Sequence, residues 1–149
     1  NIISKIVKKF PKIKFTFIGK TNEFFKNQLK NENTEFLGVV DNYESTLRKH
    51  SVLFAPYPSH AKYLGSKNKF LEAAACEMPI ITTSSGAVDF KQDLLLIGDS
   101  STELIKLVES MKNENTRKNF GKSLRIEIEK YYNANIEIKK IIKLYNELS

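Results

Sequence analysis

The chain has 149 residues, 28% of them charged and 41% hydrophobic. That is enough for one domain with a core of its own, and it excludes a disordered polymer. A formal net charge of +7 favours anionic partners, such as a nucleotide diphosphate, an acidic membrane surface or a nucleic acid, without choosing among them. The one cysteine, Cys76, excludes an internal disulfide framework, fits a reducing compartment and reads as a small buried hydrophobe in an alanine-rich helix. No run of about 18 apolar residues marks a membrane span, and the start has no signal-peptide layout. A cytoplasmic domain is expected, with peripheral attachment at the inner face of the membrane left open.

In chain order, Ile3, Ile6, Val7 and Phe10 recur at helical spacing before Pro11 stops them. Residues 13 to 18 alternate as a strand that ends at Gly19. Asn22 caps a helix to about Lys30, and Glu35 to Leu37 make a short strand closed by Gly38. A helix over Tyr43 to His50, a strand over Ser51 to Ala55 and a proline-rich loop through His60 follow. Beyond Gly86, a strand is predicted over Asp93 to Ile97. Ser100 and Glu103 have capping-box spacing ahead of a helix through Met111. Phe120, Leu124, Ile128 and Tyr131 mark another helix. Ile138, Ile141, Ile142, Tyr145 and Leu148 mark the last, whose apolar face either closes this core or docks on a further domain.

The stretch between these halves, GSKNKFLEAAACEMPIITTSSG from Gly65 to Gly86, organises the rest. Gly65 and Ser66 open a helix; Phe70, Leu71, Ala74, Ala75 and Met78 form its inward face, while Lys69, Glu72 and Cys76 share another. Pro79 stops it. Ile80 to Thr83 are β-branched without a break, as in a strand covered on both faces, and Ser84, Ser85 and Gly86 end it. The alternation of strands and helices predicts an α/β, Rossmann-like parallel sheet with helices on both faces. In such a sheet a helix start beside the carboxyl end of a strand is where ligands bind. Because a parallel sheet is built from strand-helix-strand units and this chain opens in a helix, the sequence predicts a sheet lacking its first strand. If that strand is the central one, another segment must fill the gap or the sheet must close around it.

Together with TEFLGVV, SVLFAPYPS and LLLIGDSSTELIKLVESM, the central stretch resembles the C-terminal, donor-binding domain of group 1 (family 4) GT-B glycosyltransferases, from about Lys12 onward. In that family two glutamates with seven residues between them precede a small-residue helix and a G-x-P turn. Glu72-Ala73 and Pro79 match; Leu64 stands at the first glutamate, and Glu77 at the usual glycine. The resemblance implies a nucleotide-diphosphate sugar as donor substrate, no separate cofactor, and retaining, metal-independent transfer of a hexosyl or related group. It also implies an N-terminal acceptor domain, absent here, that carries most of the acceptor site and any catalytic base. No catalytic residue is assigned within residues 1 to 149.

Breaking the donor's glycosidic bond builds charge on the leaving phosphate. The N–H groups of Gly65, Ser66 and Lys67 at a helix start suit a diphosphate, and Lys67 or Lys69 adds a full charge. Glu72, one turn along, is suited to accept from a ribose diol, as an acidic residue does in dinucleotide folds. Ser84, Ser85 and Gly86 are candidates to cradle phosphate or sugar, and Gly19 to approach the nucleobase; His60 and Asp89 are weaker candidates near the donor. Each has a plain reading: Lys69 and Glu72 as a weak surface ion pair, the glycines as turn formers, the serines as a strand end. His50 and His60 lack partners at metal spacing and no D-x-D pair exists, so no metal site is expected. The main alternative is a non-catalytic nucleotide-binding or regulatory module of the same fold, favoured by Leu64. A sugar epimerase is a further possibility within the fold. Nucleic-acid binding is not expected, because Phe15, Phe17, Phe36 and Phe54 fall on core strands rather than among exposed lysines.

Overall fold

The structure, a computed structural model, describes residues 2–62, 68–88 and 90–148. The chain opens with helix α1 (Ile2–Lys9), which buries Ile6 and Val7. The Asn33 side-chain amide donates to the carbonyls of Val7, Phe10 and Ile13 at 3.3, 3.0 and 3.0 Å, so it ties the turn after α1 to the next strands. Strand β1 (Phe15–Ile18) begins two residues later than the alternation suggests. Helix α2 (Glu23–Leu29) starts at Asn22, whose side chain accepts from the Phe25 N–H as expected of a cap. Strand β2 (Thr34–Gly38), helix α3 (Tyr43–Leu47) and strand β3 (Leu53–Ala55) follow, then a 3-10 turn over Ser59–Ala61.

Helix α4 (Asn68–Ala75) buries Phe70, Ala73 and Ala74, and strand β4 (Ile80–Thr82) is buried throughout. The strand expected over Asp93 to Ile97 is shorter. Gln92–Leu94 form a 3-10 turn in which the Leu95 N–H reaches the Gln92 carbonyl, leaving only Leu96–Ile97 as β5. Helices α5 (Ser101–Ser110), α6 (Glu114–Tyr131) and α7 (Ala134–Leu148) complete the fold, α5 opening on the expected Ser100–Glu103 capping box. On α7 no described residue is buried, so the reading in which it closes this core does not hold. Its apolar side chains from Ile138 to Leu148 lie at the surface.

All strand pairs are parallel and helices cover both faces, the Rossmann-like arrangement expected, but the strands form two sheets. β1 pairs with β2, and β4 lies between β3 and β5. On one face α1 and α5 bury Ile6, Phe10, Leu104 and Val108 against Ile81, with Phe15 and Phe54 of the two sheets packed alongside. On the other, Leu47, Phe70, Ala74 and Leu124 surround Ile80, with Ile18 and Leu53 alongside. The helix layers therefore hold together two sheets that, among the described residues, share no hydrogen bond ladder. Full burial of an isoleucine stabilises by roughly 1.5–3 kcal/mol, so β4 alone contributes a large part of the core.

Helix α4 ends before Met78 rather than including it. The Glu77 N–H donates to the Ala74 carbonyl and the Met78 N–H to the Ala73 carbonyl, at 2.9 and 3.0 Å, with Glu77 at φ +55°. This is a Schellman termination whose left-handed position, usually glycine, holds a glutamate. It sets the turn into β4. Across it, Gly121 of α6 approaches so closely that a Cβ there would overlap the Glu77 carbonyl. Glu77→Gly is expected to raise stability by about 1 kcal/mol, because a side chain in this conformation costs about 1–2 kcal/mol and glycine's extra unfolded-state freedom returns part of it. The thermal midpoint should rise by about 2–4 °C. An unchanged or lower midpoint would mean that contacts of the Glu77 side chain outweigh the strain.

Hydrogen bonds from the backbone and hydroxyl of Ser100, and from the Asp99 N–H, hold the exposed Glu103 carboxyl below its usual range. A depressed folded-state value means stability present above the unfolded-state value and lost as pH falls through the folded one. The stability difference between the protein and Glu103→Gln is therefore expected to be full near neutrality and to shrink in acid below the ordinary glutamate range. A difference that stays constant from pH 7 to pH 3 would remove the charge from the account.

Candidate functional site

Because β3, β4 and β5 are parallel, their carboxyl ends share one edge. The segments leaving that edge are cross-tied by side chains. The Thr82 hydroxyl donates to the Ala55 carbonyl at 2.8 Å; the Thr83 hydroxyl accepts from the Tyr57 N–H at 3.1 Å and donates to its carbonyl at 2.6 Å. Asp99, just after β5, accepts from the Ser84 N–H and hydroxyl at 2.8 and 2.5 Å, and its own N–H is held by Glu103 at 2.9 Å. The turn through Gly86 is thus fixed from both neighbouring strands. Gly86 is required there, since a Cβ would overlap the Thr82 hydroxyl and meet the Tyr57 ring at 2.8 Å.

Helix α4 brings the exposed Lys69 of its first turn to the same edge. Lys69 Nζ lies 5.0 Å from the centroid of the Tyr57 ring, which also packs edge-on to Phe70 at 6.2 Å. Among the described residues no ion pair joins Lys69 to Glu72, so the plain reading of these two as a surface pair is not what the geometry favours. Glu72 is exposed, one turn along. It bears on Tyr43, the first residue of α3, whose hydroxyl is pushed up first by burial and then by the negative charge of Glu72.

Of the candidates read from sequence, the structure brings Lys69 and Gly86 to the Tyr57 ring, with Ser85 next to Gly86 in the chain and Glu72 further along α4. Gly65, Ser66 and Lys67 lie outside the described residues, as do Leu64 and Asp89. Gly19 sits apart from that group, at the end of β1 in the other sheet, with φ +102° and nothing within 4 Å of a Cβ position, so its backbone is open to close approach. His60 is exposed in the 3-10 turn, and His50 is engaged with the Thr46 carbonyl at 2.8 Å. Cys76 is partly rather than fully buried. Sequence reading missed Tyr57, Tyr43, Thr83 and Asp99. Only Tyr57 gave a signal, an aromatic between two prolines at the end of a strand.

A family model described as group 1 glycosyl transferases matches residues 1–114, which takes in both sheets, α4, the glycine turn and α5. The chain belongs to this group of glycosyltransferases, and the fold is that of a Rossmann-like half of their GT-B architecture. No curated protein matches the chain. The match starts earlier than the resemblance, including α1, and leaves nearly all of α6 and α7 outside it. Among the described residues no helix is long and apolar enough to cross a membrane.

Thr83→Val keeps the shape of the side chain and removes both hydrogen bonds to Tyr57. The expected cost is about 1–3 kcal/mol, read as a lower denaturant midpoint, together with faster exchange of the Tyr57 amide. Unchanged exchange would mean that the Thr83 hydroxyl does not protect the Tyr57 amide.

Proposed function

We propose that residues 1 to 149 form the nucleotide-sugar-binding domain of a two-domain glycosyltransferase that moves a hexosyl or related group from a nucleotide diphosphate to an acceptor. The observation that carries this reading is the start of α4, where the exposed Lys69 lies over the Tyr57 ring just beyond β3 and the exposed Glu72 follows one turn along, in a chain of this family. Lys69, assisted by Lys67 and the N–H groups of Gly65 and Ser66, meets the diphosphate and stabilises the leaving group as charge grows on it. The backbone of Ser85 and Gly86 closes the phosphate or sugar side. Glu72 accepts from the ribose diol, and Gly19 leaves room for the base. Supplying the positive charge from lysines and backbone dipoles supports a mechanism without a metal, and family resemblance supports retention of configuration.

An acceptor-binding domain elsewhere in the parent polypeptide completes the enzyme, and the exposed apolar face of α7 is the surface we assign to meeting it. Alone, this domain binds donor weakly and transfers little. We place it in the cytoplasm on its lone free cysteine, and the net charge of +7 allows peripheral contact with an anionic membrane. A second reading, a nucleotide-binding module without transfer activity, is favoured by Leu64 where the family has a glutamate.

Calorimetric titration with UDP, GDP and their sugar conjugates tests the site. Binding is expected to prefer one base and to weaken about tenfold to a hundredfold in Glu72→Ala, the loss of hydrogen bonds to a charged acceptor. Lys69→Ala should weaken it less and reduce its salt dependence. Binding that neither variant changes would move the donor elsewhere. Sugar transfer by the enzyme carrying the acceptor domain separates catalysis from the second reading.

A further inference from the structure

Lys69 is held by a ring and not by an acid. Among the described residues its Nζ has no carboxylate within 4.0 Å, whereas Lys91 and Lys112, which also lie over rings, are paired with Asp93 and Glu109. The exposed Lys69 charge is therefore uncompensated, and the Tyr57 ring, its centroid 5.0 Å from Nζ, is what fixes it. An ammonium carries three donors on one nitrogen, so a ring on one side leaves donors for an anion on the other.

Tyr57 itself has little freedom. The Thr83 hydroxyl ties its N–H and its carbonyl, at 3.1 and 2.6 Å. Its ring packs edge-on to Phe70, which is fully buried and follows Lys69 in α4. On another side it stands where a Cβ on Gly86 would meet ring atom Cδ2 at 2.8 Å. The ring is thus set from the end of β4, from α4 and from the glycine turn, before any ligand arrives.

We propose that Tyr57 is a positioning residue for the transferase, its ring holding the Lys69 ammonium where the donor's diphosphate meets it. The inference rests on the donor reading above, in which Lys69 binds that diphosphate. A long side chain loses rotamer freedom when a ligand immobilises it, and a ring that holds it beforehand removes part of that cost from binding. The contact is with the ring and not with the hydroxyl, so phenylalanine serves at this position and an aliphatic side chain does not.

The test measures UDP and GDP affinity by calorimetry for the chain, for Tyr57→Phe, for Tyr57→Leu or Tyr57→Met, whichever folds, for Lys69→Ala, and for the non-aromatic variant combined with Lys69→Ala. Proton spectra read the Lys69 side chain in the same proteins, since an aromatic face shifts protons above it upfield. Tyr57→Phe is expected to keep both the upfield position and the affinity for the preferred nucleotide. The non-aromatic variant loses the shift and weakens binding about threefold, and it weakens Lys69→Ala no further. Equal weakening with and without Lys69 would show that Tyr57 only shapes the glycine turn, which overturns the inference and leaves the donor reading standing. Lys69 protons with no upfield shift in the unaltered chain overturn it as well. Nucleotide binding that Lys69→Ala leaves unchanged, or no binding by the folded chain, overturns the donor reading and this inference together.

Discussion

The hydrogen-bond ladder that β4 makes with β3 and β5 survives only because Ile80 and Ile81 find apolar cover on opposite faces, Ile81 under α1 and α5, Ile80 under α4 and α6. That two-sided burial fixes where three strands end. The threonines that follow are buried too, and a buried hydroxyl must find a partner. Thr82 and Thr83 satisfy themselves on Ala55 and Tyr57, so the same constraint that drives the strand inside also sews the loop after β3 to the turn after β4.

The candidate site inherits its geometry from this. Tyr57 is held by its backbone, and its ring then limits Gly86 to glycine and offers a face to the Lys69 ammonium. Cation–π attraction at an exposed site amounts to about 0.5–1 kcal/mol, less than a charge-assisted hydrogen bond to phosphate contributes. The lysine is therefore positioned by the ring without being committed to it. Asp99 and Glu103 extend the framework to α5, so the turn that would face a donor is held from both sides of β4.

A different logic governs the seam between the sheets. There the helix layers bridge β1 and β3 through Phe15 and Phe54 on one face and Ile18 and Leu53 on the other, while the backbone edges between them stay unpaired. Apolar packing is non-directional and tolerates a gap between strand edges; a ladder is directional and does not. The result is two ladders between two apolar layers, each of which packs against both.

Element identity was legible wherever local chemistry and burial agree. Asn22 and Ser100 cap helices because their side chains satisfy the first turn, and Ile80 to Thr82 form a strand because branched side chains fit a covered pleat. Family membership followed from Glu72-Ala73, Pro79 and the glycine turn, and the matching of residues 1–114 agrees with it. Other features needed the fold. Whether Asp93 continues a strand depends on turn hydrogen bonds accepted by the Lys91 and Gln92 carbonyls, and whether α7 buries its apolar face depends on tertiary contacts that its period does not encode. That Tyr57, Thr83 and Asp99 converge on one turn, and that β1 and β2 form a ladder separate from β3, β4 and β5, only the tertiary structure decided. Both are matters of which strand edges become neighbours, and hydrogen bonding between segments 15 to 26 residues apart leaves no periodicity in the sequence to read.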